Sequence, residues 1–186
     1  MIKVLAILGS PRRGANSETL LDKAASGIKN AEIKKIAASE LNIAPCDGCF
    51  SCRKTGECAI KDDMQQVYKE LLGADCLLIA SPVYFKGPSC QIKCLIDRCN
   101  ALWARKYVLG KSNAVKPKIG VAILTCASSG VKDMFTGSIS IFKAFIRTLD
   151  AEYRGEFLAE GLEIKDAALK DEALLKRAAE FGKKLI

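Results

Sequence analysis

The strongest constraint on the fold is the alternation of short apolar runs with helical patterns along the chain. Residues 2–8, IKVLAIL, are almost continuously apolar, as in a strand that is buried on both faces of a parallel sheet. Apolar residues at helical spacing follow between 20 and 28. Further strand signals lie around Ile33 and Ile36, and at residues 75–80, 118–125 and 151–160. Strands that alternate with helices in this way predict an α/β fold with a parallel sheet.

The segments between the later strands carry helical signals. Apolar residues recur with the period of a helix after Asp62 and Asp63, either of which could cap it, and Gly73 should end it. Three more helices are expected at about 89–103, 134–148 and 166–184. Five βα units in 186 residues predict a flavodoxin-like three-layer sandwich with a five-stranded parallel sheet in the order 2-1-3-4-5. We expect residues 1–186 to form a single domain.

Composition excludes several classes of protein. The chain has no histidine, so histidine-based triads, general bases and metal ligands are absent. No apolar run approaches the about 20 residues that a membrane helix needs. The formal net charge of +8 fits an anionic ligand or an acidic partner, although a solvated lysine-rich surface would also explain it. Aromatic residues are not interleaved with the basic ones, which argues against a nucleic acid as partner.

Four cysteines within thirteen residues have the spacing C-x2-C-x2-C-x5-C: Cys46, Cys49, Cys52 and Cys58. Compact runs of thiolates hold iron–sulfur clusters. Four-thiolate zinc sites usually consist of two separated C-x2-C pairs, whereas here the middle cysteine belongs to both pairs. The spacing therefore favours a [4Fe–4S] cluster held in a loop at about 44–60. A zinc site and a metal-free loop are the alternatives.

The remaining cysteines and the first residues indicate a reducing compartment. The start, MIKVLAILGS, has the pattern of a buried strand and lacks that of a signal peptide, and nine cysteines cannot all pair within the chain. We therefore expect free thiols and a cytoplasmic protein. Cys76, Cys90, Cys94 and Cys99 are expected to be small apolar core residues. Cys126 lies in a loop on the expected ligand side of the sheet.

Three loops should leave the carboxyl ends of the strands, where ligands bind in such sheets: residues 9–17, 81–89 and 125–131. The first brings hydroxyls, backbone amides and a guanidinium to a helix N-terminus, which indicates an anion site. It lacks the P-loop lysine and the G-x-G-x-x-G spacing, so the terminal phosphate of a mononucleotide fits best. The second places two aromatic residues side by side, as a wall for a flat heterocycle. A capped turn and rings packed under the loop are the alternatives.

Together, these loops and the cysteine run resemble the iron–sulfur flavoproteins, a branch of the NADPH-dependent FMN reductase superfamily. The resemblance covers most of the chain and is carried by GSPRRGANSETLL, CDGCFSCRKTGECAIKDDM and SPVYFKGPSCQIKCLIDR. It implies an FMN site in which Ser10, Arg12, Asn16 and Ser17 hold the phosphate, with Pro11 of the same loop also binding the cofactor. It also implies isoalloxazine contacts from Pro82, Val83, Tyr84 and Phe85 on one side and from Thr125, Cys126, Ala127 and Ser128 on the other. Relatives often have a glycine pair where Cys126 and Ala127 stand.

The resemblance implies electron transfer between a [4Fe–4S] cluster and FMN, in which the cofactors carry the chemistry and no side chain is the catalyst. One alternative is an NAD(P)H-dependent FMN or quinone reductase without a cluster. Another is a non-catalytic metal- or flavin-binding module. The expected electron donor is an acidic, ferredoxin-like protein or NAD(P)H, and a homodimer or homotetramer is expected. A ferredoxin-like donor could dock on the basic stretch Arg105, Lys106, Lys111 and Lys116.

Overall fold

The computed structural model describes residues 1–114 and 117–185. Within these residues, the sheet contains the parallel strands β1 (Ile2–Leu8), β2 (Ala31–Ala37), β3 (Cys76–Tyr84), β5 (Ile119–Thr125) and β6 (Glu152–Ala159). A two-residue strand, β4 (Gly87–Pro88), pairs antiparallel with the end of β3. The order of the parallel strands is β2-β1-β3-β5-β6. Because β5 and β6 are the fourth and fifth parallel strands, the predicted order and the flavodoxin-like fold are confirmed.

Burial along the strands follows their positions in the sheet. From Val4 to its end, β1 is buried, and so is nearly all of β3 and β5, because helices cover both faces of the sheet centre. The edge strand β2 has the sequence AEIKKIA and buries only Ala37. The predicted strand order also places the second strand at an edge, where charged side chains discourage pairing with another chain.

The helices are α1 (Asn16–Gly27), α2 (Cys52–Thr55), α3 (Met64–Gly73), α4 (Cys90–Arg98), α5 (Asn100–Tyr107), α6 (Thr136–Thr148), α7 (Ala167–Lys170) and α8 (Glu172–Lys183). Residues of α1, α7 and α8 share one apolar core with the sheet, and residues of α3 to α6 share the other. Helices α1 and α8 pack very closely, since a Cβ atom at Gly182 would lie 1.8 Å from the Ala24 carbonyl oxygen. The three layers are thus helices, sheet and helices. No helix in the described ranges has both the length and the apolar character needed to cross a bilayer.

Several element boundaries differ from the sequence-based prediction. The helix expected at 89–103 is two helices, α4 and α5, interrupted at Cys99, where ψ is near 5°. Arg105 and Lys106 therefore lie in α5 and not in a loop, while Lys116 lies outside the described residues. The helix expected at 166–184 is interrupted at Asp171, whose side chain accepts a hydrogen bond from Leu174 N–H (2.9 Å) and caps α8.

Candidate functional site

A cavity of about 420 Å³ opens beyond the carboxyl ends of β1, β3 and β5. Ligands bind at this place in open parallel sheets, and the volume falls in the range of small-molecule sites. Twelve of the thirteen residues predicted to contact a flavin line the cavity, and Pro11 is the exception. The structure therefore brings the three predicted loops together around one space.

The first wall is the loop between β1 and α1, which Ser10 holds in a tight turn. The buried Ser10 hydroxyl accepts a hydrogen bond from Arg12 N–H (3.1 Å) and donates to the Arg12 carbonyl oxygen (3.2 Å). Gly14 follows at φ +63°, a conformation that suits glycine. The first residues of α1 then line the cavity. Their N–H groups have no partner within the helix, and the helix dipole favours negative charge there.

The two adjacent arginines of this loop have different surroundings. Arg13 donates to the Glu18 carboxylate at 2.7 and 2.9 Å and also pairs with Glu40. The hydrogen bond from Arg13 is the largest cause that lowers the pKa of Glu18 from 4.5 to about 2. Arg12 instead lines the cavity. An anionic ligand in the cavity would therefore meet Arg12, while Arg13 holds the loop against α1.

The side chain of Asn16 connects the first wall to a distant part of the chain. Its amide nitrogen donates to the carbonyl oxygens of Leu162 (3.0 Å) and Ile164 (2.8 Å), and its amide oxygen accepts from Ala168 N–H (2.9 Å). Asn16 is also one of the buried polar residues. Although Asn16 lines the cavity, its side chain is thus committed to the segment after β6, and its backbone N–H is the group left to meet a ligand.

Residues 160–165, which follow β6, form a wall of the cavity that the sequence analysis did not predict. Leu162, Glu163 and Lys165 line the cavity, as does Met134 before α6. The segment is held in place because Leu162 N–H donates to the Cys126 carbonyl oxygen (3.0 Å). The signal was available, since residues 160–165 follow the carboxyl end of the fifth parallel strand and so emerge at the same edge of the sheet.

The loop after β5 forms the other predicted wall. The hydroxyl groups of Thr125 and Ser17 lie 2.7 Å apart in a buried hydrogen bond, which ties this loop to the start of α1. Cys126 is buried, and its thiol donates to the Ser128 carbonyl oxygen (3.0 Å). Burial, followed by the nearby Glu160 carboxylate, raises the pKa of Cys126. The thiol therefore stays protonated and shapes the loop as a hydrogen-bond donor.

The aromatic wall is a hairpin and not the loop predicted at 81–89. Strand β3 continues to Tyr84 and turns back at Phe85 and Lys86, which have φ values of 51° and 61°. Two positive φ angles are typical of a type I′ turn, which usually requires Asn or Gly. The Lys86 carbonyl oxygen accepts from Ser138 N–H (3.1 Å) in α6 and so anchors the turn. Tyr84 is 46% exposed and Phe85 is fully exposed, so both rings are available for stacking.

The cysteine segment, residues 44–60, lies outside the sheet. Cys46 and Cys49 are exposed, whereas Cys52 and Cys58 are half-buried, and none is in a disulfide. Burial is the largest cause that raises the pKa of Cys52, and the other three cysteines raise it further, so the four thiols lie near one another. In the described ranges, no three Cys, Asp or Glu side chains converge on a single ion position. A cubane cluster binds each thiolate at a different iron corner, so its ligands surround a volume and not a point.

Backbone geometry in the segment suits a chain that curls around a bulky group. Gly48, Phe50 and Gly56 all have positive φ, at 70°, 57° and 77°. Nothing lies within 4 Å of a Cβ atom built at Gly48, so that side of the loop is open. Phe50 is 64% exposed, and its ring contacts the Arg53 guanidinium at 4.9 Å. The donor set and the open, curled backbone together fit a cluster of the predicted kind.

An ion pair beneath the segment joins its two ends. The Arg98 guanidinium binds both oxygens of Asp62 at 2.6 and 3.1 Å, and it also donates to the carbonyl oxygens of Ala44 (2.8 Å) and Ile60 (3.2 Å). Sequence reasoning missed Arg98. No sequence signal distinguished it, because α4 also carries Lys93 and Asp97, which pair with each other at the surface.

The other cysteines only partly match the expectation that they are core residues. Cys76 and Cys99 are buried, as expected. Cys94 is half-buried and donates to the Ile43 carbonyl oxygen (3.6 Å). Cys90 is exposed, so the expectation is wrong for this residue. It is the first residue of α4, where the helix leaves the sheet, and its side chain therefore does not reach the core.

Comparison with known proteins gives matches along the whole chain. The sequence model of the NADPH-dependent FMN reductase family matches residues 2–149. An iron–sulfur flavoprotein of Archaeoglobus fulgidus is 30% identical over 187 residues, which cover 99% of this chain and 79% of that protein. An iron–sulfur flavoprotein of Methanosarcina thermophila is 34% identical over 124 residues, or 66% of this chain and 62% of that protein.

Solved structures share the fold. The structure of an azoreductase from Bacillus anthracis has a TM-score of 0.71 and 16% identity, with 100% of both chains covered. At this identity the likeness shows the fold alone. The match to the family and the Archaeoglobus fulgidus relative show more: the chain belongs to the NADPH-dependent FMN reductase family, among its iron–sulfur flavoproteins, and is a flavin-dependent oxidoreductase.

Proposed function

We propose that the cavity binds FMN, that Cys46, Cys49, Cys52 and Cys58 bind a [4Fe–4S] cluster, and that the protein passes electrons between them. One observation carries this proposal: a cavity at the sheet's carboxyl edge has a cation and a helix N-terminus at one wall and exposed aromatic rings at another. A phosphate and a flat heterocycle need these two environments. Residues 1–186 act as one flavin-binding domain in this proposal.

At the phosphate end, several groups would hold the dianion. The Arg12 guanidinium supplies a charge-assisted hydrogen bond. The Ser10 hydroxyl fixes the turn that presents Arg12, and the backbone N–H groups of Asn16 and Ser17 lie at the positive end of α1. Lys165, on the wall held by Asn16, adds a second cation to the same cavity. These residues would bind and orient the cofactor rather than react.

At the heterocycle end, the hairpin would orient the ring system. Pro82 and Val83 lie along β3, and Tyr84 and Phe85 are at the tip. On the opposite side, Cys126 and Ala127 line the cavity. The Cys126 thiol turns inward to Ser128, so a buried side chain occupies this wall without blocking the cavity. The flavin supplies two-electron and one-electron exchange when bound, and the cluster supplies one-electron exchange.

The reductant could be a nucleotide or a protein. The family is that of the NADPH-dependent FMN reductases, so a reduced nicotinamide nucleotide is one candidate for the reductant. We propose a ferredoxin-like protein as the faster donor, with Arg105 and Lys111 as part of its docking surface. Lys106 is a weaker candidate because it pairs with Asp150 at 2.6 Å. Stopped-flow reduction by reduced ferredoxin and by NADPH across a salt series separates the two. Fast reduction of the flavin by NADPH, together with slow and salt-independent reduction by ferredoxin, would exclude a protein as the faster donor.

We also propose that the protein is a homo-oligomer and that it works in the cytoplasm. Trp103 and Tyr107 support the first point, because their exposed rings lie 5.6 Å apart beside the cysteine segment, near the exposed Phe50. Exposed aromatic clusters of this kind are typical of interfaces. The absence of disulfides among all nine cysteines supports the second point. Light scattering on Trp103→Glu against the wild-type protein tests the oligomer, and loss of the higher mass is expected.

The deciding experiment is anaerobic purification followed by a visible spectrum and by iron, sulfide, zinc and flavin analysis. The proposal expects FMN, broad absorbance beneath the flavin bands, and iron with an equal amount of acid-labile sulfide. Replacing any of the four cysteines of the segment with Ala should remove most of the iron and leave the flavin. Cys90→Ala, which removes an exposed thiol outside the segment, is the matched control and should keep the iron. Full iron retention in all four variants would refute the ligand assignment.

A further inference from the structure

A buried arginine closes the base of the cysteine segment. Arg98 is 1% exposed, and its guanidinium binds the segment before Cys46, through Ala44, and after Cys58, through Ile60 and Asp62. The Asp62 carboxylate also connects the two ends of the segment, because it accepts hydrogen bonds from Ala44 N–H (2.9 Å) and Met64 N–H (3.0 Å). The ends of the segment are therefore fixed to each other and to α4 by one ion pair.

The same guanidinium lies beside a proposed cluster ligand. Cys58 lies close enough to the Arg98 guanidinium and to the Tyr68 hydroxyl to affect the pKa of both groups. The Tyr68 hydroxyl in turn donates to the Arg98 carbonyl oxygen (2.6 Å). The Nε atom of Arg98 is buried and has no hydrogen-bond partner within residues 1–114 and 117–185. Burying an N–H group without a hydrogen-bond partner is energetically costly. The unpaired Nε–H of Arg98 belongs to a guanidinium close to the proposed ligand Cys58, and it therefore indicates that a bound group supplies the missing acceptor.

We propose that Arg98 is a positioning residue of the cluster site, which fixes both ends of the cysteine segment and supplies a permanent buried charge beside Cys58. Reduction adds one electron to the cluster and forms or breaks no bond to Arg98, whose guanidinium stays protonated. A nearby cation and hydrogen bonds to sulfur stabilise the more negative, reduced state. Arg98 therefore raises the reduction potential of the cluster, and Asp62 partly offsets this effect.

The first test is electrochemical and rests on the proposed function. Redox titration of the holoprotein, followed by visible absorbance and electron paramagnetic resonance, compares four variants. Arg98→Met should shift the potential to a more negative value, and Asp62→Asn to a more positive one, because each removes one charge of opposite sign. Arg98→Lys keeps the charge and should stay close to the wild-type potential. Arg53→Met removes an exposed cation from the same segment and should have little effect, because solvent screens it. Shifts of the same sign for Arg98→Met and Asp62→Asn would overturn the electrostatic role.

The second test needs no cluster. In the metal-free protein, hydrogen exchange of residues 44–60 should become faster in Arg98→Lys and Arg98→Met and stay unchanged in Arg53→Met. Exchange in α8 reports whether the fold survives. If Arg98→Met does not fold, since it leaves a buried carboxylate unpaired, then Arg98→Lys decides. Unchanged protection of the segment in Arg98→Lys would overturn the positioning role. If the wild-type protein contains no iron, the proposed function is overturned instead. The exchange measurement on the metal-free protein would still test whether Arg98 positions the cysteine segment.

Discussion

The hydroxyl groups of Ser17 and Thr125 lie 2.7 Å apart in a buried hydrogen bond that joins two loops 108 residues apart in sequence. Ser17 belongs to the start of α1 and Thr125 to the end of β5, and both line the cavity. This single contact sets the distance between two of its walls. Contacts among the loops of the cavity, such as this one, therefore fix the positions of these walls relative to each other.

The first prediction follows from this hydrogen bond. Ser17→Ala or Thr125→Val alone should lower the free energy of unfolding by about 1–3 kcal/mol, because the remaining hydroxyl is buried without its partner. The double variant should be about as stable as either single variant, since no unpaired group remains. Urea unfolding of all four proteins measures this. If the loss of stability in the double variant equals the sum of the losses in the two single variants, a direct hydrogen bond is contradicted.

The second prediction concerns Asn16. Replacement with Ala removes the Asn16 hydrogen bonds to the Leu162 carbonyl oxygen and to Ala168 N–H, whereas the Ile164 carbonyl oxygen still accepts from Ala167 N–H (3.1 Å). We expect a loss of about 1–3 kcal/mol in unfolding free energy. Hydrogen exchange in that segment should become faster, and FMN affinity should fall because Lys165 is no longer held. Asn16→Asp keeps the acceptor for Ala168 but faces two carbonyl oxygens with a carboxylate, so it should not restore the wild-type behaviour. Wild-type exchange in Asn16→Ala would rule out this connection.

These contacts show how far the sequence could predict the site. The alternation of apolar runs with helical patterns predicted a parallel α/β sheet, because burial on one or both faces leaves a periodic pattern. The count of five βα units then predicted the flavodoxin-like strand order. The loop compositions predicted which three loops form the site, and the resemblance to the iron–sulfur flavoproteins implied the individual residues, twelve of which line the cavity. The sequence could not show that the Asn16 side chain binds residues 162–168, because its partners are backbone groups and carry no side-chain signature. The hairpin was missed for a related reason: Phe85 and Lys86 replace the Asn and Gly that normally mark such a turn.

Arg98 and Asp62 illustrate a second limit. The two residues are 36 positions apart, and although both lie in segments that carry the family resemblance, nothing in the sequence indicates that they pair. A charged residue on a helix indicates a buried ion pair only after the fold shows what it faces. Cys90 illustrates the opposite case, because the apolar pattern of its helix suggested burial, although the first turn of α4 lies outside the core.

The third prediction concerns acid stability. The pKa of Glu18 is about 2 in the folded protein against an ordinary 4.5, chiefly because of the hydrogen bond from Arg13. Because the folded value is the lower one, charged Glu18 stabilises the fold above about pH 4.5, and this contribution is lost as the pH falls towards about 2. Glu18→Gln should therefore be less stable than the wild-type protein at pH 7, and the difference should shrink on acidification. Denaturant unfolding between pH 7 and pH 3 measures this, and a constant difference would refute it.

The last prediction distinguishes the two arginines of the first loop. Arg12→Ala removes a cation that lines the cavity and should weaken FMN binding by about 1.5–3 kcal/mol, or roughly 10- to 150-fold, since it removes a charge-assisted hydrogen bond. Riboflavin, which has no phosphate, should bind to Arg12→Ala as it does to the wild-type protein. Arg13→Ala removes the same charge one residue away, but Arg13 is bound to Glu18 and Glu40, so this control should keep the ratio of FMN to riboflavin affinity. Flavin fluorescence quenching measures both affinities. Equal losses for FMN and riboflavin in Arg12→Ala would show that Arg12 does not meet the phosphate.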